Sequence, residues 1–162
     1  MKLDDLRAQI DDIDTQILQL LAQRMEIVEK VGSLKRSEGV RGVFIRPKRE
    51  DDMMKRILAE GAGNFPSKAL FSIWRAIISA SLQVENPFRV FTTKDAGKEV
   101  FEYFGAFTEY VIVENEEEVF AKMTNKDVGV LPCNADLTNM PVGMKIFVKA
   151  NKFNAFAEIR EG

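Results

Sequence analysis

The sequence predicts an α+β protein: three helices over residues 1–86, the first of them unusually long, followed by a small α/β unit over residues 87–162. From Leu3 to Leu34 apolar residues recur at alternating steps of three and four, the spacing of one continuous helix with a heptad seam. Two further segments before Asn86 have the same helical period, and neither shows the alternation of a strand. Beyond Asn86-Pro87 the pattern changes to short β-type runs with helical stretches between the earlier ones.

The seam of the first helix consists of Leu3, Leu6, Ile10, Ile13, Ile17, Leu20, Ile27, Val31 and Leu34, and the residue on it at position 24 is Arg24. Leu18, Leu21, Met25 and Val28 add a second stripe, so the helix is expected to pack on more than one side with Arg24 pointing inward. A buried charge needs a partner. Two readings stand: a structural arginine satisfied by a neighbour such as Glu26 or by a carbonyl, or an anion site inside a helical bundle. Asp4 and Asp5 near the start and Lys35 and Arg36 near the end suit the helix dipole. At ~1.5 Å per residue the helix is about 50 Å long, too long for a lone small domain to cover, so it calls for a partner helix from a second copy.

Residues 37–45, with Gly39 and Gly42, read as a loop. Pro47 fits the first turn of a second helix, with Glu50, Asp51 and Asp52 at its head and Met53, Met54, Ile57 and Leu58 as its buried side. The stretch Gly61-Ala62-Gly63-Asn64 ends it. Ser67 is the expected N-cap of a third helix anchored by Leu70, Phe71, Ile73, Trp74, Ile77, Ile78 and Leu82. After Pro87, residues 88–91, 110–113, 128–131 and 145–148 read as strands, and residues 95–104 and 116–123 as helices. The acidic run from Glu114 to Glu118 reads as a solvated helix start. About seventy residues is marginal for independent stability, so the α/β unit is expected to lean on the helices or on another copy.

Composition narrows the chemistry. The 162 residues are 46% hydrophobic and 30% charged, with a net charge of -2, which fits one or two globular domains and argues against a nucleic-acid surface. No apolar run approaches the ~18 to 20 residues of a membrane span, and Met1-Lys2-Leu3-Asp4-Asp5 leads into the first helix without a signal-peptide core, so a cytoplasmic protein is expected. With one cysteine, Cys133, and no histidine, neither a zinc site nor a histidine-based catalytic pair is expected. Arg, Lys, Glu, Asp and Ser must do the work.

These residues form a constellation. Arg24 and Lys35 are eleven apart, which at about 100° per residue sets them within roughly 20° of one helix face. Arg7, seventeen residues before Arg24, is turned by roughly 100° and displaced by about 25 Å, so it cannot join that pocket in its own chain. In an antiparallel pair of first helices it can reach the pocket of the other copy. Ser81 and Glu85, four apart, share a face of the third helix, and Arg49 and Glu50 stand at the head of the second.

Leu6-Arg7 with Ile10, Asp11, Ile13 and Asp14, Leu20-Leu21-Ala22-Gln23-Arg24, Val31-Gly32-Ser33-Leu34-Lys35, Arg46-Pro47-Lys48-Arg49-Glu50, and Ile77-Ile78-Ser79-Ala80-Ser81 with Glu85 resemble the all-helical class of chorismate mutase over residues 3–86. The resemblance implies an intertwined homodimer of three-helix subunits whose two pockets each take an arginine from the partner chain. It implies a pericyclic rearrangement of chorismate to prephenate, in phenylalanine and tyrosine synthesis, with no metal, cofactor or covalent nucleophile. Such a reaction requires a dianion held in its compact shape and donors aimed at the breaking ether oxygen. By resemblance, Arg24 and the partner-derived Arg7 grip carboxylates with Arg49 nearby, Ser81 donates a hydroxyl, Lys35 bonds the ether oxygen, and Glu50 takes the ring hydroxyl.

Two positions depart from the commoner pattern. Glu85 stands where many members carry glutamine as second donor to the ether oxygen, and a carboxyl donates only when protonated. Arg46 stands where an acidic residue often meets the hydroxyl end. Residues 127–132, Asp-Val-Gly-Val-Leu-Pro, faintly resemble a strand and turn of prephenate dehydratase domains. Cys133-Asn134 replaces that family's acidic-Asn pair, and no Thr-Arg-Phe motif is present, so the unit reads as a vestigial or repurposed module for ligand sensing or dimer contacts. The competing functions are isochorismate-pyruvate lyase, with a similar dianion pocket, and a non-catalytic helical dimerisation and sensor module in which Arg24 only fixes register.

Overall fold

The computed structural model describes residues 1–159. Helix α1 runs Leu3–Ser37, α2 Pro47–Glu60 and α3 Ser67–Glu85; the α/β unit follows as β1 Arg89–Thr93, α4 Lys98–Phe104, β2 Glu109–Val113, α5 Glu116–Lys122, β3 Val128–Pro132, β4 Lys145–Lys149 and β5 Phe153–Ala157. Pro47 occupies the first turn of α2, as its fixed φ and missing N–H favour. The third helix starts differently from expectation: Pro66 is the N-cap and Ser67 the first helical residue, with no side-chain cap. Within 95–104, Gly97 at φ +79° separates a short 3-10 turn, Lys94–Ala96, from α4.

The sheet order is β2-β1-β3-β5-β4, with β1 parallel to both β2 and β3, and β5 antiparallel to β3 and β4. Strand β5 is absent from the sequence reading. Its Phe-Asn-Ala-Phe-Ala run is short and poor in β-branched residues, and its place between β3 and β4 supplies the pairing that its propensity does not. On one sheet face α5 packs over Phe91, Val113, Leu131 and Phe156. On the other, Val90, Val128, Val130 and Ala155 share a core with Ile78 and Leu82 of α3, Met54 of α2 and Val100 of α4. The α/β unit therefore leans on its own helices.

The loop between α1 and α2 takes part in this core. Val43, Phe44 and Ile45 are buried, Val43 N–H donates to Glu158 C=O at 3.1 Å, and Gly42 bridges Ile159. Gly42 holds φ +80°, and a Cβ there would stand 2.4 Å from the Glu158 carbonyl oxygen. Gly42→Ala is expected to cost about 1 to 3 kcal/mol, measured by urea unfolding, with the loss falling on the seam between loop and α/β unit.

Among the described residues, nothing covers the apolar seam along most of α1. Residues 1–23 are all exposed, including Leu3 (62%), Ile10 (57%) and Ile17 (50%), and burial begins only near Arg24. Leu18 and Leu21, the second stripe, are exposed too, against the expectation of packing on two sides within the chain. The reason is length: α2 and α3 have 14 and 19 residues against 35 in α1. Phe71 and Ile73 of α3 and Leu58 of α2, expected as anchors, also face outward.

Candidate active site

The C-terminal third of α1, the head of α2 and the end of α3 enclose a cavity of about 560 Å³. Its walls carry Arg24, Lys35, Arg49, Glu50, Ser81 and Glu85, six of the seven residues singled out in the sequence, together with Arg46 and Glu38. Apolar side chains, among them Val28, Val31, Ile78 and Leu82, fill the rest of the lining. The seventh residue, Arg7, lies on the exposed part of α1 and pairs with Asp4 at 3.3 Å. It does not line the cavity of its own chain, as the helical geometry requires.

Helix crossing sets the positions. Gly32 lets α1 approach α3 so closely that a Cβ would stand 3.0 Å from Glu85 Cα, and Arg36 donates to the Glu85 backbone carbonyl. Lys35 Nζ thereby meets Glu85 Oε2 at 2.5 Å, a pair that is buried on both sides. The same ammonium lies 3.4 Å from Phe44 C=O and 5.0 Å from the centre of the Phe44 ring. The buried loop thus forms the seat of Lys35.

Arg24 donates to Ser81 Oγ at 2.5 Å, and Ser81 in turn donates to Ile77 C=O. Among the described residues, neither Arg24 nor Arg49 has a carboxylate partner within salt-bridge distance. Burial pulls the Arg24 pKa down; Glu85 works against this, and the like charge of Arg49 adds to it. Two guanidinium groups of like charge facing one half-buried cavity make a place for an anion.

Glu50 is 7% exposed and pairs through Oε2 with Arg75 at 3.2 Å, while its Oε1 is buried without a hydrogen-bond partner among the described residues. Burial pushes its carboxyl above the ordinary carboxylate range; Arg75 and Lys35 pull against that, and Glu85 adds to it. The sequence reading missed Arg75. It stands three and seven residues before Ile78 and Leu82, so it lies on the buried seam of α3 as Arg24 does on that of α1, and that signal was available.

The model of the chorismate mutase type II family matches residues 6–86, half of the chain. The chain belongs to that family. It is 33% identical over 145 residues to a bifunctional chorismate mutase/prephenate dehydratase of Aquifex aeolicus, covering 81% of this chain and 38% of the relative. A protein of the same name from Stutzerimonas stutzeri is 32% identical over 92 residues, covering 55% and 25% respectively. The T-protein of Haemophilus influenzae is 35% identical over 88 residues, covering 53% and 22%. This chorismate mutase family member thus spans at most about two fifths of the length of these relatives. At 81% coverage the Aquifex match runs past Asn86 into the α/β unit, where the sequence faintly resembles a dehydratase domain. No solved structure matches the chain.

Proposed function

We propose that the helical cavity is the active site of a chorismate mutase, converting chorismate to prephenate on the way to phenylalanine and tyrosine. The observation that carries this is the pair Arg24 and Arg49, without carboxylate partners among the described residues, facing one cavity that also holds the buried Lys35–Glu85 pair. Arg24 and the Arg7 of a second copy grip the carboxylates of a dianion with Arg49 beside them, and Ser81 holds Arg24 in place. The Lys35 ammonium has three protons, two of them engaged by Glu85 and Phe44, so one remains for the ether oxygen as its bond breaks. The unpartnered Oε1 of Glu50 accepts the ring hydroxyl. The rearrangement is internal to the substrate, so these roles cover its needs: a compact conformer and a donor where charge develops.

The working unit is a homodimer. The bare apolar seam of α1 supports this, since a second α1 laid antiparallel covers it and carries its Arg7 to the open end of the cavity. Offering the intact protein chorismate and isochorismate separately tests the reading. Prephenate from the first and no pyruvate from the second is the expected result; pyruvate from isochorismate would make it a lyase, and neither product would leave a non-catalytic helical module.

A pH dependence follows from Glu50. As an acceptor for the ring hydroxyl it holds best when ionised, and burial raises its carboxyl above the ordinary range. Falling pH therefore protonates it early, and the acid limb of kcat/KM lies above the ~4.3 of a free glutamate. Glu50→Gln removes that limb and leaves a lower, flatter profile between about pH 4.5 and 8.5. An unchanged acid limb in the variant would exclude Glu50 as its source.

A further inference from the structure

Glu50 separates two cavities. Behind it, away from Arg24 and Arg49, lies a second space of about 440 Å³ lined by Pro47, Met54 and Phe71 from the helical part and by Tyr103, Phe147 and Val148 from the α/β unit. Arg75 lines the second cavity and reaches Glu50 from it. Its Nη1 donates to Glu50 Oε2 at 3.2 Å, its Nε donates to Tyr103 C=O at 3.1 Å, and its guanidinium carbon lies 3.7 Å from the centre of the Tyr103 ring. At 4% exposure it is fully committed to these contacts. Tyr103 belongs to α4, outside the residues that match the family model.

A guanidinium stacked on a ring and bonded along two edges has one orientation. Oε2 is held by Arg75, and Oε1 of Glu50, a residue on the wall of the cavity that holds Lys35, is left without a hydrogen-bond partner among the described residues. We propose that Arg75 is a positioning residue for Glu50 and that Tyr103 fixes it, so that the α/β unit forms part of the mutase site. This rests on the mutase reading for its kinetic consequence, but the placement of Glu50 is a separate claim. The charges facing Glu50 are Arg75 and Glu85 from α3 and Lys35 from α1, with Tyr103 from α4 behind Arg75.

The test uses the full chain with Tyr103→Leu, which removes the ring and keeps the backbone carbonyl, and Tyr103→Phe, which keeps the ring. Tyr103→Leu is expected to lower kcat/KM for chorismate by about tenfold or more, whereas Tyr103→Phe stays within about threefold of wild type. In a Glu50→Gln background the Tyr103→Leu effect should shrink to within about twofold, because residues that act through one another are not additive. An equal loss in both backgrounds, or no loss in either, overturns the proposal. Where Tyr103→Leu fails to fold, Arg75→Lys, which keeps the charge but loses the fork, is read in the same way. The carboxyl carbon of Glu50, followed by NMR titration, gives a readout independent of turnover: it should titrate higher in Tyr103→Leu and in Arg75→Lys, and an unmoved titration in both overturns the placement. A wild type that leaves chorismate intact would sink the mutase reading, and the NMR result would still decide the positioning claim.

Discussion

Lys35→Ala is expected to lower turnover by a factor on the order of a hundred or more, because one preorganised donor to a developing oxyanion is worth ~2.7 to 4 kcal/mol. Lys35 is held on three sides, by Glu85, by the Phe44 carbonyl and by the Phe44 ring, so its remaining proton has little freedom of direction. The variant should still fold. Glu85 then stands alone at the cavity wall, where water can take the place of the lost ammonium. Thermal unfolding and sedimentation of the variant check that the loss is chemical. Turnover near wild type with only a raised KM would reduce Lys35 to a binding residue.

The second large effect concerns the sharing of sites. Arg7→Ala and Arg24→Ala chains should each be inactive alone, since each pocket needs both arginines to hold a dianion. Mixed in equal amounts with subunit exchange, they should recover about one quarter of wild-type activity. Half of the dimers are then mixed, and one of the two pockets in each has both arginines intact. The structure supports this through what it leaves outside the cavity: Arg7 is exposed, beside a neighbour in its own helix, on a stretch of α1 whose described residues 1–23 are all exposed. A mixture that stays dead despite proven exchange would confine the site to one chain.

Much of the cavity was legible because its residues obey local periods. An eleven-residue spacing on α1 and a four-residue spacing on α3 fix which side chains share a face, whatever the helices pack against. Pro47 likewise marked the head of α2, where Arg49 and Glu50 stand. What escaped notice depends on contacts between distant segments. Nothing near Arg75 announces Tyr103, 28 residues away, although its place on the α3 seam called for a partner. Val43, Phe44 and Ile45 follow Gly39 and Gly42 and read as loop, yet the α/β unit buries them and makes them the seat of Lys35. Strand β5 is defined by its neighbours rather than by its own residues. The division at Asn86, clear as a change of period, is crossed by one shared core, and the helical cavity takes support from both sides of it.

The most direct measurement is the rate of chorismate loss, with prephenate identified as product, for the intact chain and for Arg24→Ala side by side. Stoichiometric conversion by the wild type, and a loss of about a hundredfold or more in the variant at unchanged dimer content, is the expected result. A folded wild-type dimer that leaves chorismate unchanged, or an Arg24→Ala variant as fast as wild type, would contradict the assignment of this cavity as the mutase site.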